Sequence, residues 1–203
     1  MSKSISNHFF GTSGFINFYG KDVSGFIISA KSAEEIIAER VKGLDTREHT
    51  IKNKKILSTK EMKEISRKIE QRTATMEEYK NYTMTKRLKK RRQQAIDTFW
   101  KDERNRILSG KPWTRQWTEE QKEAILTKKR PKFNGKTLQG HHTYSVSKYP
   151  HLSNRSEVIF PVTFDEHLYE WHGGNFKNSS PGRRIKKALI KGDNLWKKNM
   201  ILN

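Results

Sequence analysis

The chain has 203 residues, which suits one domain or one domain with a helical extension, and it carries a formal net charge of +20. It contains no cysteine, which excludes a disulfide framework, a thiolate metal site and a cysteine nucleophile. Such a surplus of Lys and Arg attracts polyanions, so nucleic acid is the expected partner.

Residues 1–57 form an N-terminal segment to which the sequence assigns no role. Short apolar runs broken by glycines predict strands or ordered loops over residues 1–30. Ser32 and Glu35 fit a capping box, which predicts a short helix ending near Gly43. The first ten residues lack the apolar core of a secretory signal, and no apolar stretch approaches membrane-spanning length. We therefore expect no membrane insertion and export by a route without a signal peptide.

Residues 58–108 are predicted to form a basic helical region. Two capping boxes open its helices, Ser58 with Glu61 and Thr75 with Glu78. The second helix is expected to end before Gly110. Six of the seven positions from Lys86 to Arg92 are Lys or Arg. Because these side chains point all round a helix, the run fits a solvated face as well as a surface that grips phosphate.

Residues 109–203 are predicted to form a second region of short helix, strand, loop, strand and helix. Thr118 and Gln121 open the short helix with another capping box. The stretch "RPKFNGKTLQGHH" predicts a turn and then a strand that ends in His141 and His142.

The next segment, "SEVIFPVT", predicts a second strand that Pro161 ends. A fourth capping box, Thr163 with Glu166, opens the helix "FDEHLYEWH", and the pair Gly173-Gly174 closes it. His167 falls in the first turn of this helix.

The adjacent histidines are the most informative feature of this region. Neighbouring residues on a strand point to opposite sides, so His141 and His142 are not expected to bind one metal ion together. One of them should face the hairpin interior, where the helix brings His167 close, and the other should face a cleft. Imidazole is a good ligand for divalent ions, and a free imidazole is a suitable general base for water.

Residues 133–177 resemble the HNH finger, also called the ββα-metal or His-Me finger, of nucleases. The wider stretch from "FWKDERNRIL" through "GHHTYSVSKYPHLSN" to "PVTFDEHLYEWHGGN" resembles the GHH-type nuclease domains of bacterial polymorphic toxins, which are similar to DNase colicins. The resemblance implies an α+β fold, with a mainly helical basic scaffold and a C-terminal ββα-metal finger within residues 109–203. It also implies that His141 and His167 are metal ligands and that His142 is the base.

The sequence departs from the colicin-like pattern at two places. The second strand should begin with an Asn, but that place falls near Val158, and the nearest Asn is Asn154. The two helix histidines should be four residues apart, whereas His167 and His172 are five apart. On a regular helix five residues leave the two side chains roughly 140° apart. His172 can therefore join the metal only if the helix unwinds at the glycine pair, and we assign it as a metal ligand or a phosphate contact.

The resemblance and the charge together predict a metal-dependent, nonspecific endonuclease, most simply a DNase, that acts as an antibacterial toxin. The alternatives are an RNase toxin on the same scaffold and a non-catalytic basic nucleic-acid-binding protein. One divalent ion is expected, and the sequence does not distinguish Zn, Mg, Mn and Ni. The expected partners are DNA, with RNA as the alternative substrate, and a small acidic immunity protein, and the expected site of action is the cytoplasm of a target cell.

Several further polar side chains are candidates for contacts with nucleic acid. They are Asn154, Arg155, Lys177, Arg183, Arg184, Lys89, Lys90, Arg91 and Arg92.

Overall fold

The computed structural model describes residues 31–49, 51 and 55–185. The strands or loops predicted for residues 1–30 lie outside these ranges. The chain divides after Ser32, and all of the elements that follow belong to the unit Ala33–Asn203.

Four α-helices lie within the described part of this unit. They are α1 (Ala33–Arg40), α2 (Thr59–Glu70), α3 (Met76–Leu108) and α4 (Glu119–Leu126). The capping boxes predicted for α2, α3 and α4 are confirmed, because in each one the N-cap hydroxyl accepts from the N3 backbone and the N3 side chain accepts from the N-cap backbone. Within the described ranges, no helix has both the length and the apolar character that a bilayer crossing requires.

Two antiparallel strand pairs follow α4. The first is the short hairpin of β1 (Lys132–Phe133) and β2 (Lys136–Thr137). Its turn residues, Asn134 and Gly135, both have positive φ (46° and 72°), as a type I′ turn requires. The second pair is β3 (Gln139–His142) with β4 (Ile159–Val162). Strands, helices and their order confirm the predicted α+β class.

The prediction that Pro161 ends the second strand is wrong. Pro161 lies inside β4, opposite Gly140 of β3. A two-stranded sheet consists only of edge strands, and an edge strand tolerates a residue without an N–H donor. Gly140 is needed for a different reason, because a Cβ at that position would lie 3.1 Å from the Ile96 side chain of α3 and 3.3 Å from that of Ile159.

Two 3₁₀ turns (Pro150–Leu152 and Ser156–Val158) connect β3 to β4, and a π-helix (Glu166–Trp171) follows β4. One apolar core joins these elements to α3. Ala95 and Phe99 of α3 are fully buried in the same cluster as Val158, Ile159 and Trp171. The strand pair therefore packs on the long helix. The predicted division of the chain into regions 1–57, 58–108 and 109–203 stays a prediction.

A buried carboxylate fixes the segment between α3 and α4. Glu103 is fully buried, and its Oε1 accepts from the Thr114 backbone N (2.6 Å) and from Trp117 Nε1 (2.8 Å). Its Oε2 accepts from Thr114 Oγ1 (2.7 Å) and from Arg106 Nη1 (3.1 Å). Each donor would be left buried or poorly solvated if this carboxylate were removed.

Replacement of Glu103 by alanine is therefore expected to lower the free energy of unfolding by about 3–5 kcal/mol, the usual cost of breaking a buried, hydrogen-bonded charge pair. Urea denaturation of the purified chain measures this loss. The matched control is Glu119→Ala, because that carboxylate is 90% exposed and accepts from Lys122 at the surface. Equal midpoints for the two variants would contradict the anchoring role of Glu103.

Candidate active site

The two adjacent histidines of β3 lie in different surroundings, as strand alternation predicts. The His141 ring faces the π-helix, with its centroid 4.6 Å from that of His167 and 5.1 Å from that of His172. The His142 ring points the other way, and its Nε2 lies 3.1 Å from the Ser153 backbone oxygen. Both rings are almost completely buried, with 3% and 4% of their surface exposed.

The π-helix carries His167 and ends directly before His172, which lies close to the other two rings. The capping box of Thr163 and Glu166 is confirmed, and Arg115 binds the Glu166 carboxylate through both terminal nitrogens (2.7 and 2.9 Å). The i→i+5 pattern of a π-helix brings residues five apart to one face. The ring centroids of His167 and His172 are 5.0 Å apart. The helix departs from α geometry and ends at Trp171, directly before His172 and the glycine pair, and the part of His172 in a metal site stays a prediction.

The three histidines have the donor chemistry of a metal site. One ring nitrogen each from His141, His167 and His172 lies within 4.8 Å of the others. His167 Nδ1 is 2.6 Å from Gln139 Oε1, and His172 Nδ1 is 2.7 Å from the Asn178 backbone oxygen. Because a carbonyl oxygen only accepts, both Nδ1 atoms carry the proton, and each Nε2 keeps a lone pair, as in a ligating histidine.

The third ring carries an unsatisfied atom. His141 Nε2 is buried and has no hydrogen-bond partner in the described structure. A buried polar atom without a partner is costly in free energy, and a metal ion would satisfy it. The residues present therefore fit a divalent ion bound by three imidazoles, of the kind that suits Zn, Cu, Fe or Ni more than Ca.

Burial keeps His141 and His167 neutral, because it lowers the pKa of both rings. Burial, with the charges of His172 and Arg92, lowers the pKa of His167 to about 4. Burial also holds the pKa of His141 well below its usual value, and the neighbouring His167 adds to this. An imidazole must be neutral to ligate a metal ion or to accept a proton. Both roles are therefore open to this site at neutral pH.

His142 has one nitrogen available for a proton. Its Nε2 donates to the Ser153 carbonyl, so its Nδ1 carries the lone pair. This Nδ1 is buried and has no partner among the described residues. Burial, followed by the charge of Arg92, lowers the pKa of His142 to about 4, although the bond to Ser153 opposes this shift. The ring is a neutral imidazole held in one tautomer.

All four histidines line one cleft of about 440 Å³. Three cationic side chains line it as well: Lys89 and Arg92 of α3 and Lys177 after the π-helix. None of the three is ion-paired within the ranges that the structure describes. The cleft therefore combines metal-ligand chemistry, a free imidazole nitrogen and unpaired positive charge.

The other predicted nucleic-acid contacts lie in several environments. Arg91 Nη2 donates to Asn154 Oδ1 (2.7 Å), and Arg155 pairs with Glu157 (2.6 Å). Lys90 and Arg183 are exposed, whereas Arg184 binds Glu34 (2.7 and 2.8 Å) and Glu170 (2.7 Å). Their roles in nucleic-acid binding stay predictions.

Three supporting groups were missed in the sequence. Gln139 orients His167, and its place two residues before His141 on the same strand face was a usable signal. The carbonyl groups of Ser153 and Asn178 orient His142 and His172. Every residue has a backbone oxygen, so the sequence does not show which of these oxygens orient a histidine.

The segment after the π-helix is hydrogen-bonded to the residue that follows the histidine pair. Ser180 is fully buried, and its hydroxyl donates to the Thr143 backbone oxygen (2.7 Å) directly after the histidine pair. Gly182 N donates to the same oxygen (2.7 Å). The finger predicted at residues 133–177 is therefore completed by the residues that follow it.

A second group of potential ligands lies outside the cleft and is less suited to a metal ion. Asp45, His49 and His151 also place one donor atom each within 4.8 Å of the others. The Asp45 carboxylate, however, already accepts from Arg47 Nε (2.9 Å) and Nη2 (2.8 Å) and lies 2.9 Å from His49 Nε2. These partners satisfy the carboxylate without an ion.

Comparison with known proteins adds an independent finding. A family model described as "GHH signature containing HNH/Endo VII superfamily nuclease toxin" matches residues 83–163. The match begins in α3 and includes the histidine pair, the Ser153 loop and β4. No curated protein matches the chain.

Proposed function

We propose that this chain is a metal-dependent, nonspecific DNA endonuclease, because residues 83–163 match the model of the GHH-signature nuclease toxins of the HNH/Endo VII superfamily. The observation that carries the proposal is the convergence of three imidazoles beside a fourth with a buried nitrogen that has no partner among the described residues. The family match extends over the pair His141-His142 but ends before His167, so the role of the π-helix rests on geometry alone.

In this proposal His141, His167 and His172 hold the divalent ion. When bound, the ion supplies Lewis acidity that stabilises negative charge on the phosphate and on the leaving oxygen. Gln139 and the Asn178 carbonyl hold two of the ligand rings in the binding tautomer. His141, packed against Trp171 at a centroid distance of 5.0 Å, completes the set from the strand.

His142 is the proposed general base. Its Nδ1 takes a proton from the water that attacks phosphorus, while its Nε2–H stays bonded to the Ser153 carbonyl. The bond from phosphorus to the 3′ oxygen breaks, which leaves a 5′ phosphate. The Ser153 carbonyl also stabilises the imidazolium that forms, because the protonated ring still donates to it. A positioned base of this kind contributes about a hundredfold to ten-thousandfold to the rate.

The cations of the cleft are proposed to hold the phosphate backbone. Lys89, Arg92 and Lys177 present unpaired charge beside the histidines. Contacts to phosphate position a nucleic acid without reading its sequence, which supports nonspecific cleavage. The net charge of +20 supports the same conclusion for the whole chain.

Neutralising Lys89 and Arg92 together (K89Q/R92Q) is expected to lower the log–log salt dependence of DNA binding by about 1.8, since each phosphate contact contributes about 0.9. Fluorescence anisotropy with a duplex oligonucleotide measures the slope, in a His142→Ala background that leaves the DNA intact. The matched control is K60Q/K63Q on α2, because neither lysine lines the cleft. Equal slopes for the two double variants would mean that the basic run of α3 is a solvated face and does not bind phosphate.

We propose an antibacterial role for this activity. A cell that makes a nonspecific nuclease must inhibit it before export, so a small acidic immunity protein is the expected partner. Opposite charge accelerates the encounter of such a protein with this strongly basic chain. Export without a signal peptide and action in the cytoplasm of a target cell complete the proposal.

In the deciding experiment, the purified chain is incubated with plasmid DNA and with total RNA in the presence of divalent metal. Relaxation and degradation of the plasmid, with little effect on RNA, supports the proposed DNase. Cleavage of RNA alone would replace it with the RNase alternative. Tight binding without cleavage of either substrate would leave a basic nucleic-acid-binding protein.

A further inference from the structure

Two phenylalanines are exposed at the edge of the histidine cluster. Phe176 follows the π-helix, lines the cleft and is 49% exposed, and Phe164 precedes the π-helix and is 47% exposed. Their ring centroids are 5.9 Å apart in a T-shaped arrangement. An exposed phenyl ring does not gain the stabilisation that burial would give. A pair of such rings at the edge of a polar cleft therefore indicates a binding surface.

The position of Phe176 relative to the proposed metal ligands is close and specific. Its ring centroid lies 5.1 Å from that of His167 and 5.5 Å from that of His172, with interplanar angles of 71° and 60°. The histidines thus meet the phenyl ring at steep angles, and about half of the residue remains open to solvent. The adjacent Lys177 places a cation at the same edge of the cleft.

We propose that Phe176, supported by Phe164, stacks against a nucleobase next to the phosphate in the cleft, so that unpaired nucleotides are the preferred substrate. This inference rests on the proposed nuclease function. Aromatic side chains beside a positively charged groove are the combination that binds single-stranded nucleic acid without reading sequence. Every base has a π-face, so this contact preserves the nonspecific character of the site.

Base pairing and stacking decide which substrates benefit. In an intact duplex both faces of a base are covered by its neighbours, and exposing one costs a few kcal/mol of unstacking. An unpaired or frayed nucleotide has little of this cost. In DNA the ring should therefore favour single strands, gaps and frayed ends over intact duplex.

The test compares kcat/KM for a labelled single-stranded DNA 20-mer with that for the same sequence as a duplex. Phe176→Leu keeps an apolar side chain but removes the ring, and it is expected to lower cleavage of the single strand by about tenfold. Cleavage of the duplex should change little. Phe176→Tyr retains a ring and should retain the wild-type ratio between the two substrates.

The matched control is Phe133→Leu, because Phe133 of β1 is also 49% exposed but does not line the cleft. An equal fall in cleavage of both substrates by Phe176→Leu would mean that the ring only supports His167 and His172, and it would overturn the proposal. Unchanged cleavage of both would also overturn it and would leave the ring pair as a protein-binding surface. Failure of the wild type to cleave either substrate would instead refute the nuclease function itself.

Discussion

Replacing His142 by alanine is expected to lower DNA cleavage by about a hundredfold to ten-thousandfold, the usual contribution of a general base. Metal affinity should stay near that of the wild type. His142 points away from the three clustered histidines and bonds the Ser153 carbonyl, so its loss removes the proton acceptor without removing a ligand. A plasmid assay and calorimetric metal titration measure the two quantities on the same preparation.

Two control variants sharpen this prediction. His49→Ala removes a histidine outside the cleft and should cleave like the wild type. Ser153→Ala keeps the backbone carbonyl and deletes a buried hydroxyl that has no partner in the described structure, so activity should also persist. Cleavage by His142→Ala within about tenfold of the wild-type rate would contradict its role as base. Loss of metal binding in that variant would make it a ligand instead.

Alanine substitution of His141, His167 or His172 is expected to abolish tight metal binding and cleavage together. Each ring supplies one nitrogen to the same cluster, and the ion would join β3 to the π-helix. A ligand that binds only the folded state stabilises it by about 2.7 kcal/mol at a concentration a hundred times its Kd. Wild-type protein should therefore melt at a higher temperature with metal, and the three variants should not.

A graded variant separates the ligands from their supports. Gln139→Ala leaves all three ligands in place but removes the oxygen that orients His167. Its metal affinity should fall by about 10–100-fold, less than for loss of a ligand. His49→Ala is again the control, because His49 clusters with Asp45 and His151 outside the cleft. A His172→Ala variant with wild-type affinity would reduce the site to two histidines and would refute the part assigned to His172.

Local signals in the sequence predicted much of the scaffold. The capping boxes of α2, α3 and α4 depend on residues three positions apart, so each could be recognised without knowledge of the rest of the fold. The strand that carries the histidine pair was equally visible, and alternation along it correctly separated the surroundings of His141 and His142. The resemblance to GHH nucleases then agreed with the family match.

The features that sequence reasoning missed depend on distant or backbone groups. The π-helix ends directly before His172, and its first turn is held by Arg115, which lies 51 residues before Glu166. Spacing alone predicts an α-helix there and misplaces the second helix histidine. The orienting oxygens of Ser153 and Asn178 are carbonyls, which any residue would provide.

Cleavage of supercoiled plasmid by the purified chain, before and after removal of metal, tests the central claim most directly. The wild type should degrade plasmid with divalent metal and stop when a chelator removes it. Stoichiometric return of the ion to the chelated, dialysed protein should restore activity, but not in His167→Ala. Undiminished cleavage by metal-free protein would contradict a catalytic ion at His141, His167 and His172.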